Sequence, residues 1–183
     1  VAATANGMNN QLALRFDHPL LQDIRVRQAI IHGVNREEII RILLSDSYPL
    51  ATSSMTSKAL GYAEQPGAYT YDPQASRELL DAAGWIPGPD GIREKDGKKL
   101  KLLYQTSING PRQKTQAIVK QACQKAGIDV ELKSVVASVF FSSDVANPDT
   151  YAHFYADIEM FQIPMTQPDP ALHMRRYHSR NVA

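Results

Sequence analysis

Residues 100–135 read LKLLYQTSINGPRQKTQAIVKQACQKAGIDVELKSV. This stretch predicts a strand, a loop, a helix and a second strand. Residues 100–105 are a short apolar run rich in β-formers, and Asn109-Gly110-Pro111 cannot continue it as regular structure, so the first strand should end near Thr106. From Arg112 onward, Ala117, Ile118, Ala122 and Ala126, with Val119 and Cys123 beside them, repeat at the 3.6-residue period of a helix lying on a sheet. Pro111 suits its first turn and Gly127 its C-terminal stop. Ile128 to Lys133 then alternates apolar with polar, as a half-buried strand does. Two strands joined by a helix of this length are most easily parallel, with a right-handed crossover. Ligands of open parallel sheets bind beyond the carboxyl ends of the strands, which here points at Thr106, Ser107, Ile108 and Asn109.

Upstream, Gln11 to Phe16 alternates and ends at Asp17-His18-Pro19, predicting a strand and a turn. Asp23 can cap a helix that buries Ile24, Val26, Ala29, Ile30 and Val34, with Gly33 as its stop. Asn35-Arg36-Glu37-Glu38 opens a second helix carrying Ile39, Ile40, Ile42, Leu43 and Leu44 to bury. Residues 45–65 have few charges and no clear period, and read as an ordered surface loop. Asp72 caps the next helix, Pro73 takes its first position, Ala75, Leu79, Leu80 and Ala83 face inward, and Gly84 ends it before Trp85. Asp90-Gly91 and Asp96-Gly97 mark turns of a small hairpin. Downstream, Val136 to Phe141 is a strand end or a first helical turn, and Asn147-Pro148-Asp149 is a turn. Ala156 to Ile163 alternates and is read as a third strand of the same sheet. A short helix from Ala171 follows.

The bulk numbers exclude several classes. The 183 residues suffice for one full core. A net charge of +1 leaves no electrostatic footprint for nucleic acid or an anionic membrane. No apolar run approaches the roughly 20 residues of a membrane span, and the N-terminal VAATANGMNN lacks both parts of a signal peptide, so any such peptide is expected to have been removed or never present. Cys123 is the single cysteine, and its place on the helix stripe makes it a small core residue rather than a reactive thiol. The five histidines show no metal spacing, no nucleophile or phosphate-loop motif occurs, and no cofactor or metal is expected. A hydrolase could be assembled only from scattered residues. The helix pair before Ser45 has the spacing of a helix-turn-helix, but its second helix opens with one arginine and two acids, a poor surface for DNA phosphates.

Five stretches in one order resemble the second lobe of the family 5 extracellular solute-binding proteins, receptors of peptide-type ABC importers that also serve nickel and other solutes. They are Arg25 to Ile30 with Val34 to Glu37, Tyr71-Asp72-Pro73 with Leu79 to Trp85, Leu100 to Asn109, Ala126 to Leu132, and Ala156-Asp157-Ile158 through Asp169-Pro170. The joint order makes the match specific. The resemblance implies an α/β lobe of the type II periplasmic-binding-protein kind, with a mixed, mostly parallel sheet flanked by helices. It further implies that the 183 residues form one lobe, that a first lobe is missing, and that Val1 to Met8 lies near a hinge. The implied function is non-enzymatic: capture of a peptide-like or other small solute by hinge closure and delivery to a membrane permease, in an exported periplasmic or surface-anchored protein.

The implied ligand positions are Thr106, Ser107, Ile108 and Asn109 at one strand end and Gln162, Met165, Thr166 and Gln167 at another, with Tyr48 and Met55 as further lining candidates. For Thr106, Ser107 and Asn109 the competing role is to cap the helix at Pro111. Some dipeptide-binding relatives carry a carboxylate-binding arginine where this chain has Ser107, and serine cannot make that charge-assisted fork. Relatives that clamp a peptide amino terminus resemble Trp-x-x-Asp where this chain has Ile163 and Thr166, which weakens a dipeptide reading. Asp169, close by, reads more simply as a helix cap.

Overall fold

A computed structural model describes residues 8–44, 48–53, 55, 60–63, 69–164 and 169–175. Strand β1 (Met8–Leu14) starts before the alternation at Gln11. Helix α1 (Ile24–Gly33) is capped by Asp23, which accepts from the Arg25 N–H, and α2 (Arg36–Leu43) by Asn35, which accepts from Glu38. Helix α3 (Pro73–Ala82) begins at Asp72, whose carboxylate accepts from Gln74 and Ala75. A three-stranded sheet follows, β2 (Ile86–Pro87), β3 (Arg93–Lys95) and β4 (Lys98–Lys99), in sequence order. Then come β5 (Lys101–Ser107), α4 (Gly110–Lys125), β6 (Asp129–Val135), the single turn α5 (Ala137–Phe140), β7 (Ile158–Pro164) and the short α6 (Ala171–Met174).

The main sheet has the order β1-β7-β5-β6, with β5 parallel to both β6 and β7 and only β1 antiparallel. It is the mixed, mostly parallel sheet expected, with β7 as the third strand. Its even-numbered side chains, among them Leu102, Tyr104, Val130, Ile158 and Met160, join Val26, Ala29 and Ile30 of α1, Leu80 of α3 and Val119 and Cys123 of α4 in one buried cluster. Gln116 of α4 is buried among them and fully used: its amide donates to the Tyr104 and Lys133 carbonyls at 2.9 and 3.1 Å and its oxygen accepts from Ser134. It fastens the crossover helix to both strands it joins.

Several side chains sit elsewhere than their spacing suggests. Ile24 is exposed, being the first residue of its helix. Gly33 does not stop α1 through a left-handed backbone; a Cβ there would lie 3.1 Å from Ser76 Oγ, and Ser76 donates to the Ala29 carbonyl at 2.7 Å. The glycine lets α3 cross α1 closely. No residue of α2 is fully buried: Ile42 is exposed, and Ile39 packs at the margin of the core. On α4 the buried stripe runs through Thr115, Gln116, Val119 and Cys123, while Ala117 faces outward. At Gly127 the expected stop does use a positive φ of 86°, under the Arg93 side chain. Residues 137–140 resolve the open choice in favour of a helical turn.

Candidate functional site

Parallel pairing sets Ser107 beside Val135 and Thr106 beside Met160, so β5, β6 and β7 end at one edge of the sheet. β7 runs four residues beyond Met160 to Pro164, which pairs with Met8. The loop from Ser107 to Asn109 is held there by the Ile108 N–H, which donates to the Val135 carbonyl at 2.7 Å.

Thr106 is fully buried on the core side, and its hydroxyl donates to the Met160 carbonyl at 2.7 Å. Ser107 is buried on the opposite side, and its Oγ accepts from Arg112 Nη1 at 2.5 Å. Neither caps α4. Asn109 does, accepting from the Arg112 N–H at 3.3 Å. Ile108 is 53% exposed at the rim. Gln162 is exposed on the projecting end of β7, opposite Asn10. Met165, Thr166 and Gln167 lie outside the described residues, as do Val1 to Gly7 of the implied hinge. Tyr48 is exposed and Met55 half-buried. The Asp169 carboxylate accepts from the Ala171 N–H at 2.8 Å, a turn-forming contact at the start of α6.

Arg112 was not among the expected residues. It stands in the first turn of α4, where the helix dipole disfavours a cation. Its guanidinium lies 5.6 Å from the centre of the Phe141 ring, and partial burial pulls its pKa below the usual arginine value. The signal in the sequence was the misplaced charge itself, five residues after Ser107.

Two further polar residues, one of them from the last of the resembling stretches, prove to be structural. Asp157 accepts from the Leu103 N–H at 2.7 Å and donates its own N–H to the Leu103 carbonyl, locking β7 to β5 where their pairing begins. Arg93, almost fully buried, donates to the Ala126 and Trp85 carbonyls and pairs with Asp81, tying the small sheet to the ends of α3 and α4.

A strongly perturbed titratable group in a reachable cleft is a candidate for catalysis. Burial pushes the Glu159 carboxyl up to about 8, against a weaker opposing bond from Gln105. Glu159 is nevertheless fully buried near the start of β7, away from the open edge. Cys123 is likewise buried on α4, its thiol pushed up to about 12 by desolvation. Among the described residues no three metal-binding side chains converge, and no helix is long and apolar enough to cross a membrane.

An α/β lobe with an open carboxyl edge on its parallel strands is a ligand-binding architecture. The chain belongs to the bacterial extracellular solute-binding proteins, family 5, whose model matches residues 1–179. It is 33% identical over 133 residues, 69% of its length, to the oligopeptide-binding protein OppA of Mycobacterium tuberculosis (strain ATCC 25618 / H37Rv), of which the match covers 22%. A putative ABC transporter peptide-binding protein of Brucella ovis is 38% identical over 76 residues, 42% of this chain and 14% of that protein. Among solved structures, NikZ from Campylobacter jejuni in complex with Ni(L-His) superposes with a TM-score of 0.79 at 25% identity, covering 93% of this chain and 32% of that one. The oligopeptide-binding protein AppA from Bacillus subtilis, in complex with a nonapeptide, gives 0.72 at 23% identity, covering 86% of this chain and 33% of that one. These neighbours share the type II periplasmic-binding-protein fold. The chain spans about a third of these solved neighbours and no more than 22% of the curated relatives.

Proposed function

We propose that this chain is the second lobe of a two-lobed, exported solute-binding protein that closes on a small solute and hands it to an ABC-type membrane permease. The observation that carries the reading is the family match across residues 1–179. Supporting it, the carboxyl edge of β5, β6 and β7 is lined by groups suited to a small polar ligand with an apolar part. On this reading Ile108, Asn109 and Gln162 face the solute, Met165, Thr166 and Gln167 are further contacts proposed from the sequence alone, and the buried Thr106 and Ser107 support the edge from beneath. Peptides, or chelates such as those bound by the nickel-type neighbour, are the leading solute classes. The protein acts by binding rather than by catalysis, and needs no cofactor.

A lobe alone encloses only part of a ligand, so it should fold and bind weakly. The test is a thermal-shift screen of the full-length protein against peptides, amino-acid derivatives, sugars and nickel chelates, with this chain as the control. Shifts confined to the full-length protein are expected. Comparable shifts in this chain would mean that its edge is a complete site, and the two-lobed trap would be abandoned; no shift in either would end the solute-binding reading.

A further inference from the structure

The strand register sets Glu159 of β7, Gln105 of β5 and Lys133 of β6 side by side. Glu159 and Gln105 are fully buried. The Gln105 amide donates to Glu159 Oε1 at 3.3 Å and to the Asp149 carbonyl at 3.1 Å, while Gln105 Oε1 and Glu159 Oε2 have no partner among the described residues. The two side chains thus share one hydrogen bond, and each keeps one buried acceptor unanswered. A single proton on Glu159 Oε2 resolves both, because it turns that oxygen into a donor and closes a cyclic acid–amide pair on Gln105 Oε1. Desolvation favours the same state, holding the Glu159 carboxyl up to about 8.

Lys133 stands on the far side of Gln105 from Glu159, and its ammonium is paired with Asp149. Asp149 belongs to the irregular chain 142–157 that runs over this face as a strap. Among the described residues the middle of the strap is tied to the sheet by Asp149, through its carbonyl and its carboxylate, and by the Tyr151 ring, whose centre lies 5.3 Å from that of Phe161. Glu159 lies two strand spacings from Lys133, about 10 Å, a span that a lysine and a glutamate side chain can close together. The other charged groups around the row are engaged elsewhere. Arg15 of β1 pairs with Asp17, Glu131 of β6 with Lys101, and Asp157 of β7 accepts from the Leu103 N–H beside His18. Asp144 and His153 make their contacts within the strap. Lys133 is therefore the cation placed to answer an ionised Glu159.

We propose that Lys133 is shared between two acids and works as a pH-driven latch. With Glu159 protonated, Lys133 holds Asp149 and the strap lies closed; with Glu159 ionised, Lys133 turns to Glu159 and the strap loosens. The ionised carboxylate also draws the Gln105 amide away from the Asp149 carbonyl, so both ties at Asp149 are lost together. The latch does not depend on the solute-binding reading above.

Hydrogen exchange of this chain, corrected for the intrinsic rate and followed by mass spectrometry between about pH 6 and pH 9, reads the strap against the sheet. Protection of peptides within 142–156 should fall about tenfold across this range while that of β5 and β6 holds, and Glu159→Gln should keep the strap closed throughout. Asp149→Asn removes the competing acid and leaves Lys133 to Glu159, so the Glu159 carboxyl, followed by NMR of side-chain-labelled glutamate, should titrate lower by about one pH unit or more. Lys133→Met should move the same titration upward. Strap protection that is independent of pH, or that falls alike in wild type and Glu159→Gln, overturns the latch. A Glu159 titration unmoved by Asp149→Asn overturns it as well, since Lys133 then does not turn.

Discussion

On one face of the main sheet, Leu102, Tyr104, Val130, Ile158 and Met160 are buried in one cluster with side chains of α1, α3 and α4, and Leu12 and Leu14 pack, partly buried, against it. On the other, Ala13, Glu159, Gln105 and Lys133 form a row across all four strands, and the apolar cluster there is built, among the described residues, on three buried ones, Val135, Phe140 and Phe161. The first face is closed by three helices. The second is covered by irregular chain: the Asp149 carbonyl accepts from Gln105 Nε2 at 3.1 Å, and the Asp149 carboxylate pairs with Lys133. Gln105 Oε1 and Glu159 Oε2 are buried there without partners among the described residues. A sheet can therefore be finished on one side by side-chain packing while the other side relies on a few polar contacts.

Truncations should reveal this asymmetry most strongly. Leu102→Ala opens a cavity in the helix-covered face and should cost about 3–4 kcal/mol, whereas Val135→Ala, at the margin of the smaller cluster, should cost about 1–2 kcal/mol. Urea unfolding of this chain, read from the midpoints at constant slope, checks both. Equal losses would mean that the second face is as tightly packed as the first.

The next effect is of opposite sign. Burial holds the Glu159 carboxyl near 8, well above its ordinary value, so between that value and about 8 the folded chain keeps a proton that the unfolded chain releases. Stability should accordingly fall as pH rises through this window, by up to about 1.4 kcal/mol per unit, and level off above it. The nearest charges on this face, Lys133 and Asp149, are paired with each other. Protonation also gives Glu159 Oε2 the donor that the Glu159–Gln105 pair lacks. Glu159→Gln supplies a permanent donor and removes the titration. It should stabilise the chain by about 1–3 kcal/mol at pH 7 and by much less near pH 4.5. Denaturant midpoints across pH 4–9 measure both slopes, and a wild-type curve rising from pH 5 to 8 would show that the acid is ionised and paired.

How far the sequence disclosed this molecule depends on the face considered. The closed face was legible because apolar side chains at strand and helix periods have few places to go: β5, α4, β6 and β7 and their parallel order follow from that pattern. Gln116 was not, since a buried glutamine looks like surface until the two carbonyls that satisfy it are in place. Ala117 and Ile42 failed for the converse reason, because an apolar residue on a helix is not obliged to be covered. On the polar face nothing in the local pattern distinguished Glu159 from an outward-facing strand residue. At the carboxyl edge the topology rule pointed at the loop from Thr106 to Asn109, but it could not separate Thr106, spent on a sheet contact, from Ser107, whose hydroxyl accepts from Arg112.

The smallest effect lies at that edge, where both faces end. Asn109 was open to two roles, cap or ligand contact, and the structure shows the cap, which Asn109→Ala should reveal as a loss of about 1 kcal/mol. Asn109→Asp separates the roles, because aspartate caps as well as asparagine and its charge suits a helix N-terminus. Stability should be kept to within a few tenths of a kcal/mol. The new carboxylate would nevertheless add a negative charge to the loop that the proposed function sets against the solute, three residues before Arg112. Affinity of the full-length protein for its solute should then change several-fold while the melting temperature of the empty protein holds. An unchanged affinity would place the solute away from this turn and leave Asn109 with the cap as its whole role.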